Sequence, residues 1–340
     1  MTTAGAGDRR TPTVSDVATR AGVSRKTVYR ALNDEGNVRP DKVERVRRVA
    51  AELGFRPDHF ARLLRTRGTT SMVGVVTATV GDPFWTGVLQ GVEAAIGGGD
   101  RFILSASTRD RSDRESEIVA AMVERRVMAL IVVPTAVDQS YLGAIVAAGT
   151  PVVCVDRPAV GADIDAVVAD DRGGVQRGMQ LLLERGHRRI AFLGTGSIYT
   201  AGQRVVGYQQ ALRSAGIDDD DALVYAAITD STGVDPAVDA LLALADPPTA
   251  VFAANVNTSV GLLAGLRQRH WMPAIVAFSD FDAARIHDPT VTVVDNDPVE
   301  LGRRGAELAL QRLDGYRGPS RLVCIDTPII ERESHLVGAR

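Results

Sequence analysis

The chain has 340 residues, 45% of them hydrophobic and 24% charged, which suits a globular protein of two or three domains. With only two cysteines it is no disulfide scaffold. No apolar run approaches the roughly 18 residues of a membrane span, and the opening "MTTAGAGDRRTPT" lacks an apolar signal region, so a cytoplasmic protein is expected. The formal net charge of −3 hides a divide: residues 1–70 carry 15 Lys and Arg against 8 Asp and Glu, the rest 24 against 34. A basic head on an acidic body is the pattern of a nucleic-acid-binding module joined to a part with another task.

The first elements are two short helices within "DVATRAGVSRKTVYRAL". Val14, Val17, Ala18 and Ala21 share one helical face. Gly22 follows where the chain needs a tight turn with positive φ, and Ser24 is placed to cap the next helix through its hydroxyl. That helix turns Val28, Ala31 and Leu32 inward and Arg25, Lys26, Tyr29 and Arg30 outward. Small Ala18, Gly22 four residues on and Val28 six further is the spacing of a helix-turn-helix, whose second helix enters the major groove. An ordinary helical hairpin shares that spacing; four long donors on one face of a basic segment favour DNA. A third helix follows in "RPDKVERVRRVAAELGF", with Val43, Val46, Val49 or Ala50, and Leu53 inward and Gly54 as its stop. "RPDHFARLLRTRGTT" then reads as a helix of about eight residues, too short to be stable alone.

From Ser71 short apolar runs alternate with helical stretches: "MVGVVTATV", "RFILSAS", "ALIVVPT", "PVVCVD", "AVVAD", "RIAFLGTG", "ALVYAAIT", "TAVFAAN", "AIVAFSD" and "VTVVD". Near-continuous apolar strands with crossover helices predict parallel sheets covered on both faces. We read an α/β chain with two doubly wound lobes and a ligand cleft at the carboxyl ends of the strands. Cys154 and Cys324, in "VVCVD" and "LVCID", read as buried small apolar residues. "GTGSIYTAG" holds G-x-G without the third glycine of a dinucleotide site. There is no Walker A, no G-x-S-x-G, and no metal-ligand spacing among the five histidines. No enzyme, cofactor or metal is expected.

"VSDVATRAGVSRKTVYRALN" and "RPDKVERVRRVAAELGFRPDHFARLLR" resemble the headpiece of the LacI/GalR family of bacterial transcriptional regulators. "GDPFWTGVLQGVEAA", "VDRP", "RGHRRIAFLG", "QRVVGYQQAL" and "DPTVTVVDNDPVELG" resemble its periplasmic-binding-protein-like core. The resemblance implies a three-helix helix-turn-helix head at 1–56, a hinge helix and linker at 57–70, and an effector-binding and dimerisation core at 71–340. Within that core it implies one lobe of about 71–168 and 298–325, and another of about 169–297 and 326–340. DNA contacts then fall on Ser24, Arg25, Lys26, Thr27, Tyr29 and Arg30, with Ala61 and Leu64 in the minor groove, Leu64 prying open the central base step. Effector contacts fall on Phe84, Arg109, Asp156, Arg204, Asn255, Ser279 and Asn296.

Tyr29 stands where the family usually has serine. The family's "ND" reads Asn255-Val256, so that Asn257 or Thr258 is expected to cap the next helix. Its "FDD" reads "FSD", with Ser279 replacing a carboxylate, and its Gln is Asn296. Singly, an ion pair for Asp156 and Arg157, an inter-helix salt bridge for Arg204 and a core position for Phe84 stay open. The implied function is a repressor, homodimeric on a palindromic operator and controlled by a carbohydrate-like ligand. A regulator with a non-sugar effector or none, and a solute-binding protein, are the alternatives.

Overall fold

The computed structural model describes residues 12–32, 38–55, 71–97, 101–194, 198–228 and 231–338. The chain divides into two compact units, one ahead of residue 70 and one from it onward.

In the first unit local chemistry sets most of the helix boundaries. Thr13 caps helix α1 (Val14–Ala21), and Asp16 answers through a carboxylate oxygen 2.7 Å from the Thr13 amide, a complete capping box. Gly22 ends α1 at φ 65°, and the next amide, Val23, reaches back to the Ala18 carbonyl at 3.1 Å. Ser24 Oγ accepts the Thr27 amide at 3.1 Å at the start of α2 (Arg25–Leu32). Helix α3 (Pro40–Leu53) opens on proline and closes on Gly54 at φ 66°. Val17, Ala18, Ala21, Val28, Ala31, Val46, Val49 and Ala50 are buried together between the three helices. The expected hinge, with Ala61 and Leu64, lies outside the described residues.

The second unit holds two six-stranded sheets. One is built from β1 (Met72–Thr77), β2 (Phe102–Ser107), β3 (Ala129–Val132), β4 (Val152–Val155) and β5 (Asp165–Ala169), with helices α4 (Pro83–Ile96), α5 (Glu115–Glu124) and α6 (Tyr141–Ala147) between them. The chain then crosses into α7 (Asp171–Glu184), β6 (Ile190–Leu193), α8 (Tyr199–Ser214), β7 (Val224–Tyr225), α9 (Val234–Leu242), β8 (Ala250–Ala253), α10 (Val256–Arg269), β9 (Ala274–Phe278), α11 (Asp282–Ile286) and β10 (Thr292–Val294). It returns through α12 (Pro298–Leu313) to β11 (Leu322–Ile325) and crosses a third time to β12 (Ile329–Ile330). The orders are β11-β5-β4-β3-β1-β2 and β12-β10-β9-β8-β6-β7. Each of the ten apolar runs contains an observed strand.

Two features differ from the sequence reading. Strand β12 pairs antiparallel with β10, so the second sheet is mixed. Strand β11 closes an edge of the first sheet, and there Cys324 is exposed whereas Cys154, in the sheet interior, is buried. The apolar neighbours of Cys324 suggested burial; its place on an edge strand prevents it.

Helices α4 and α12 cross where both carry glycine. A Cβ on Gly91 would overlap the Val299 carbonyl, and one on Gly302 the Val88 carbonyl. Only glycine lets these backbones touch.

Candidate DNA-reading face and ligand cleft

On the head, Ser24, Arg25 and Lys26 are exposed at the start of α2, and Thr27, Tyr29 and Arg30 are half-buried beside them. The Ser24 and Thr27 hydroxyls lie 2.9 Å apart, so Ser24 is committed to capping and to Thr27. Among the described residues Arg25 and Lys26 form no ion pair; Arg20–Glu52, Arg39–Asp41 and Arg45–Asp41 lie elsewhere on the head. A pair of unpartnered cations projects from the helix N-terminal turn.

In the second unit a cleft of about 450 Å³ opens at the carboxyl ends of the strands of both sheets. That size falls within the usual 300–1,000 Å³ of small-molecule sites. Phe84, Asp156, Arg204, Asn255, Ser279 and Asn296 line it together. Arg109 does not: it is exposed, at φ 56°, and the next residue, Asp110, lines the cleft. Successive left-handed residues at 109 and 110 make the turn that presents Asp110.

Each lining side chain has a structural reason to be where it is. Phe84 lies in the first turn of α4, its amide donating to the capping Asp82 carboxylate at 2.9 Å, and its ring meets Trp85 edge-on at 4.7 Å. Asp156 follows β4 at φ 71° and accepts from Arg157 Nε at 3.0 Å, both side chains being buried. The ion-pair alternative is therefore realised, but inside the cleft and not on the surface. Ser279 ends β9 at φ 72°. Such strained backbone at non-glycine residues clusters at functional sites; no sequence pattern announces it.

Arg204, on α8, donates from Nε to Asp171 Oδ1 and from Nη1 to the Ala254 carbonyl, both at 2.7 Å. Its guanidinium lies 4.0 Å from the centre of the Phe278 ring. It is an inter-helix salt bridge and a cleft wall at once. Burial pushes the Asp171 carboxyl up to about 6; Arg204 opposes the rise, and the Asp156 and Asp170 carboxylates add to it. Sequence reasoning missed Asp171, whose only signal is a pair of acids after a strand.

Asn255 itself caps α10: its Oδ1 accepts the Thr258 amide at 2.9 Å and Thr258 Oγ1 accepts the Asn255 amide at 3.2 Å. The cap expected from Asn257 or Thr258 is thus corrected, Thr258 serving as the returning half of the box. Asn296, at the end of β10 and 1% exposed, has a buried Oδ1 with no hydrogen-bond partner among the described residues; Asp171 Oδ2 is in the same state. Native proteins rarely leave a buried acceptor unmet without a functional reason.

Among the described residues no group of His, Cys, Asp and Glu could hold a metal, and no helix is long and apolar enough to cross a membrane. His187, fully buried, bonds Thr249 Oγ1 at 2.8 Å and the Val337 carbonyl at 2.9 Å, a structural role after the end of α7.

A helix-turn-helix head and a two-sheet core around a ligand cleft define a class: DNA-binding proteins under small-molecule control. Comparison with known proteins agrees. Residues 13–58 match the bacterial regulatory proteins of the lacI family, and residues 179–335 a periplasmic binding protein-like domain. The chain is 35% identical to the HTH-type transcriptional regulator CelR of Thermobifida fusca, over 96% of this chain and 99% of that protein. It is 28% identical to the HTH-type transcriptional regulator GalS of Salmonella typhimurium, over 95% and 96%. Among solved structures it is similar to a CelR–cellobiose complex, with a TM-score of 0.70, 28% identity and coverage of 95% of this chain and 99% of that one. The lac repressor dimer bound to operator and the anti-inducer ONPF shares the fold, with a TM-score of 0.82 at 20% identity, over 96% and 99%. The chain belongs to the LacI family of bacterial regulatory proteins. It is a ligand-controlled, DNA-binding transcriptional regulator, and its relatives are regulators, not enzymes.

Proposed function

We propose that this regulator is a homodimeric, cytoplasmic repressor that reads a palindromic operator through Arg25, Lys26, Tyr29 and Arg30 and is released or retained by a carbohydrate-like effector. Ser24 and Thr27 hold the register of the reading helix, and Ala61 and Leu64 meet the minor groove. In the cleft, Asp156 accepts hydroxyls, Phe84 offers an apolar face, and Arg204, Asn255 and Ser279 frame the ring. Arg109 would reach the ligand only by swinging inward. The observation that carries the effector reading is the orphaned Asn296 Oδ1: a buried acceptor in a polar cleft needs a donor, and a saccharide hydroxyl supplies one. The cellobiose held by the CelR relative supports the same class of ligand.

A thermal-shift screen of the whole chain against cellobiose, glucose and galactose tests this. A ligand that binds only the folded state raises its melting temperature. No shift with any saccharide, together with operator binding indifferent to all of them, would favour the second reading, a regulator without a sugar effector. The internal engagement of Arg204 and Asn255 is what keeps that reading in play.

A further inference from the structure

The polar lining of the cleft is unbalanced. Its two arginines are already committed, Arg157 to Asp156 at 3.0 Å and Arg204 to Asp171 at 2.7 Å. Two further carboxylates, Asp82 and Asp110, line the same cleft and form no ion pair among the described residues. Asp82 spends one oxygen on the Phe84 amide at the N-terminus of α4. Burial raises its carboxyl above the usual range, the Phe84 amide and Arg204 oppose this, and Asp156 and Asp110 add to it. Asp82 is half-buried and Asp110 exposed, and the charges of Asp110 and Asp156 both act on Asp82. Independently, the buried Asn296 Oδ1 in the same cleft is an acceptor without a donor. Asn296 Oδ1 calls for a donor, and each lining arginine already faces a carboxylate.

Resting on the saccharide reading above, we propose that the effector bears a protonated amine, the ammonium lying between Asp82 and Asp110 while a hydroxyl donates to Asn296 Oδ1. A cation there gives both carboxylates an ion-pair partner that the described residues do not supply, and charge-assisted hydrogen bonds to both are about twice as strong as neutral ones. Phosphorylated sugars and uronic acids would add negative charge to a negative lining and are rejected.

The test is calorimetry on the full chain at about pH 6.5, below the usual range of an amino group. The titrants are cellobiose, the β-1,4-linked glucosamine disaccharide, its di-N-acetylated form and glucose 6-phosphate. The amine is expected to bind at least about tenfold tighter than cellobiose and the acetylated form, with no binding of the phosphate. Asp82→Asn keeps the capping oxygen and so the fold; it and Asp110→Asn should each cut the ratio of amine to cellobiose affinity severalfold. If cellobiose binds and the amine binds no better, the amine assignment falls while the saccharide reading stands. If the amine is preferred but both variants keep the preference, Asp82 and Asp110 are the wrong residues. If no saccharide binds, the saccharide reading itself is gone.

Discussion

At Asp171 burial and charge work against each other, and pH reads out the balance. Its folded carboxyl, near 6, lies above its ordinary value of 3.8. Between those values the folded chain holds a proton that the unfolded chain has released. The stability owed to this group is therefore complete below about pH 4 and lost as pH rises through 6. Melting curves of the native chain and of Asp171→Asn, which does not titrate, should show the native advantage shrinking from pH 4 to 6 and flat above 7; a constant difference would show that Asp171 does not titrate in that window. Asn296→Leu argues from the opposite need. Removing a buried, unmet acceptor should leave the fold as stable or up to about 1 kcal/mol more so, while saccharide affinity drops roughly tenfold. A loss of stability with unchanged affinity would mean that Asn296 serves the fold. Six of the seven positions to which the family resemblance points line the cleft, because strand ends carry polar residues and the family motifs fix their register. Arg109 stands outside the lining because residues 109 and 110 are both left-handed and present Asp110 instead, and left-handed backbone outside glycine leaves no mark in a sequence.

At the level of elements, caps and turns were the most legible features of the head. Thr13, Gly22, Ser24 and Gly54 act through local chemistry that the sequence states outright. Strands β11 and β12 were not, since an edge strand of four residues and an antiparallel one of two carry little pattern. The α4–α12 crossing was also hidden, because its glycines matter only through partners some 200 residues away. Two substitutions separate these kinds of constraint. Gly22→Ala meets no neighbour and pays only for the left-handed turn, about 1 kcal/mol. Gly91→Ala overlaps backbone and must spread two helices, about 2–3 kcal/mol. Both tryptophans, Trp85 and Trp271, lie in the second unit. Tryptophan fluorescence in urea should therefore record the loss in Gly91→Ala and miss that in Gly22→Ala, which amide exchange in α1 and α2 would report. A fluorescence midpoint lowered equally by both would show that the two units unfold as one.

For the whole molecule, the divide in charge assigns the work. The basic head neutralises phosphates and releases counterions, so operator binding should fall steeply with salt, while saccharide binding in the acidic core should barely respond. Arg25→Ala should cost the operator about 1–3 kcal/mol and random DNA much less; equal losses would make Arg25 a phosphate contact. Control requires more than two separate affinities. If the effector alters operator affinity by some factor, operator must alter effector affinity by the same factor, because both measure one coupling free energy. A typical coupling of about 1–3 kcal/mol predicts a factor between roughly 5 and 150. Titrating labelled operator with and without saturating saccharide gives one side of the cycle; calorimetry of the saccharide with and without saturating operator gives the other. Equal factors well above one, in either direction, make the cleft the control site and their sign separates inducer from corepressor. Factors of one on both sides, with the saccharide demonstrably bound, would leave a cleft that binds sugar and a head that binds DNA with no communication between them.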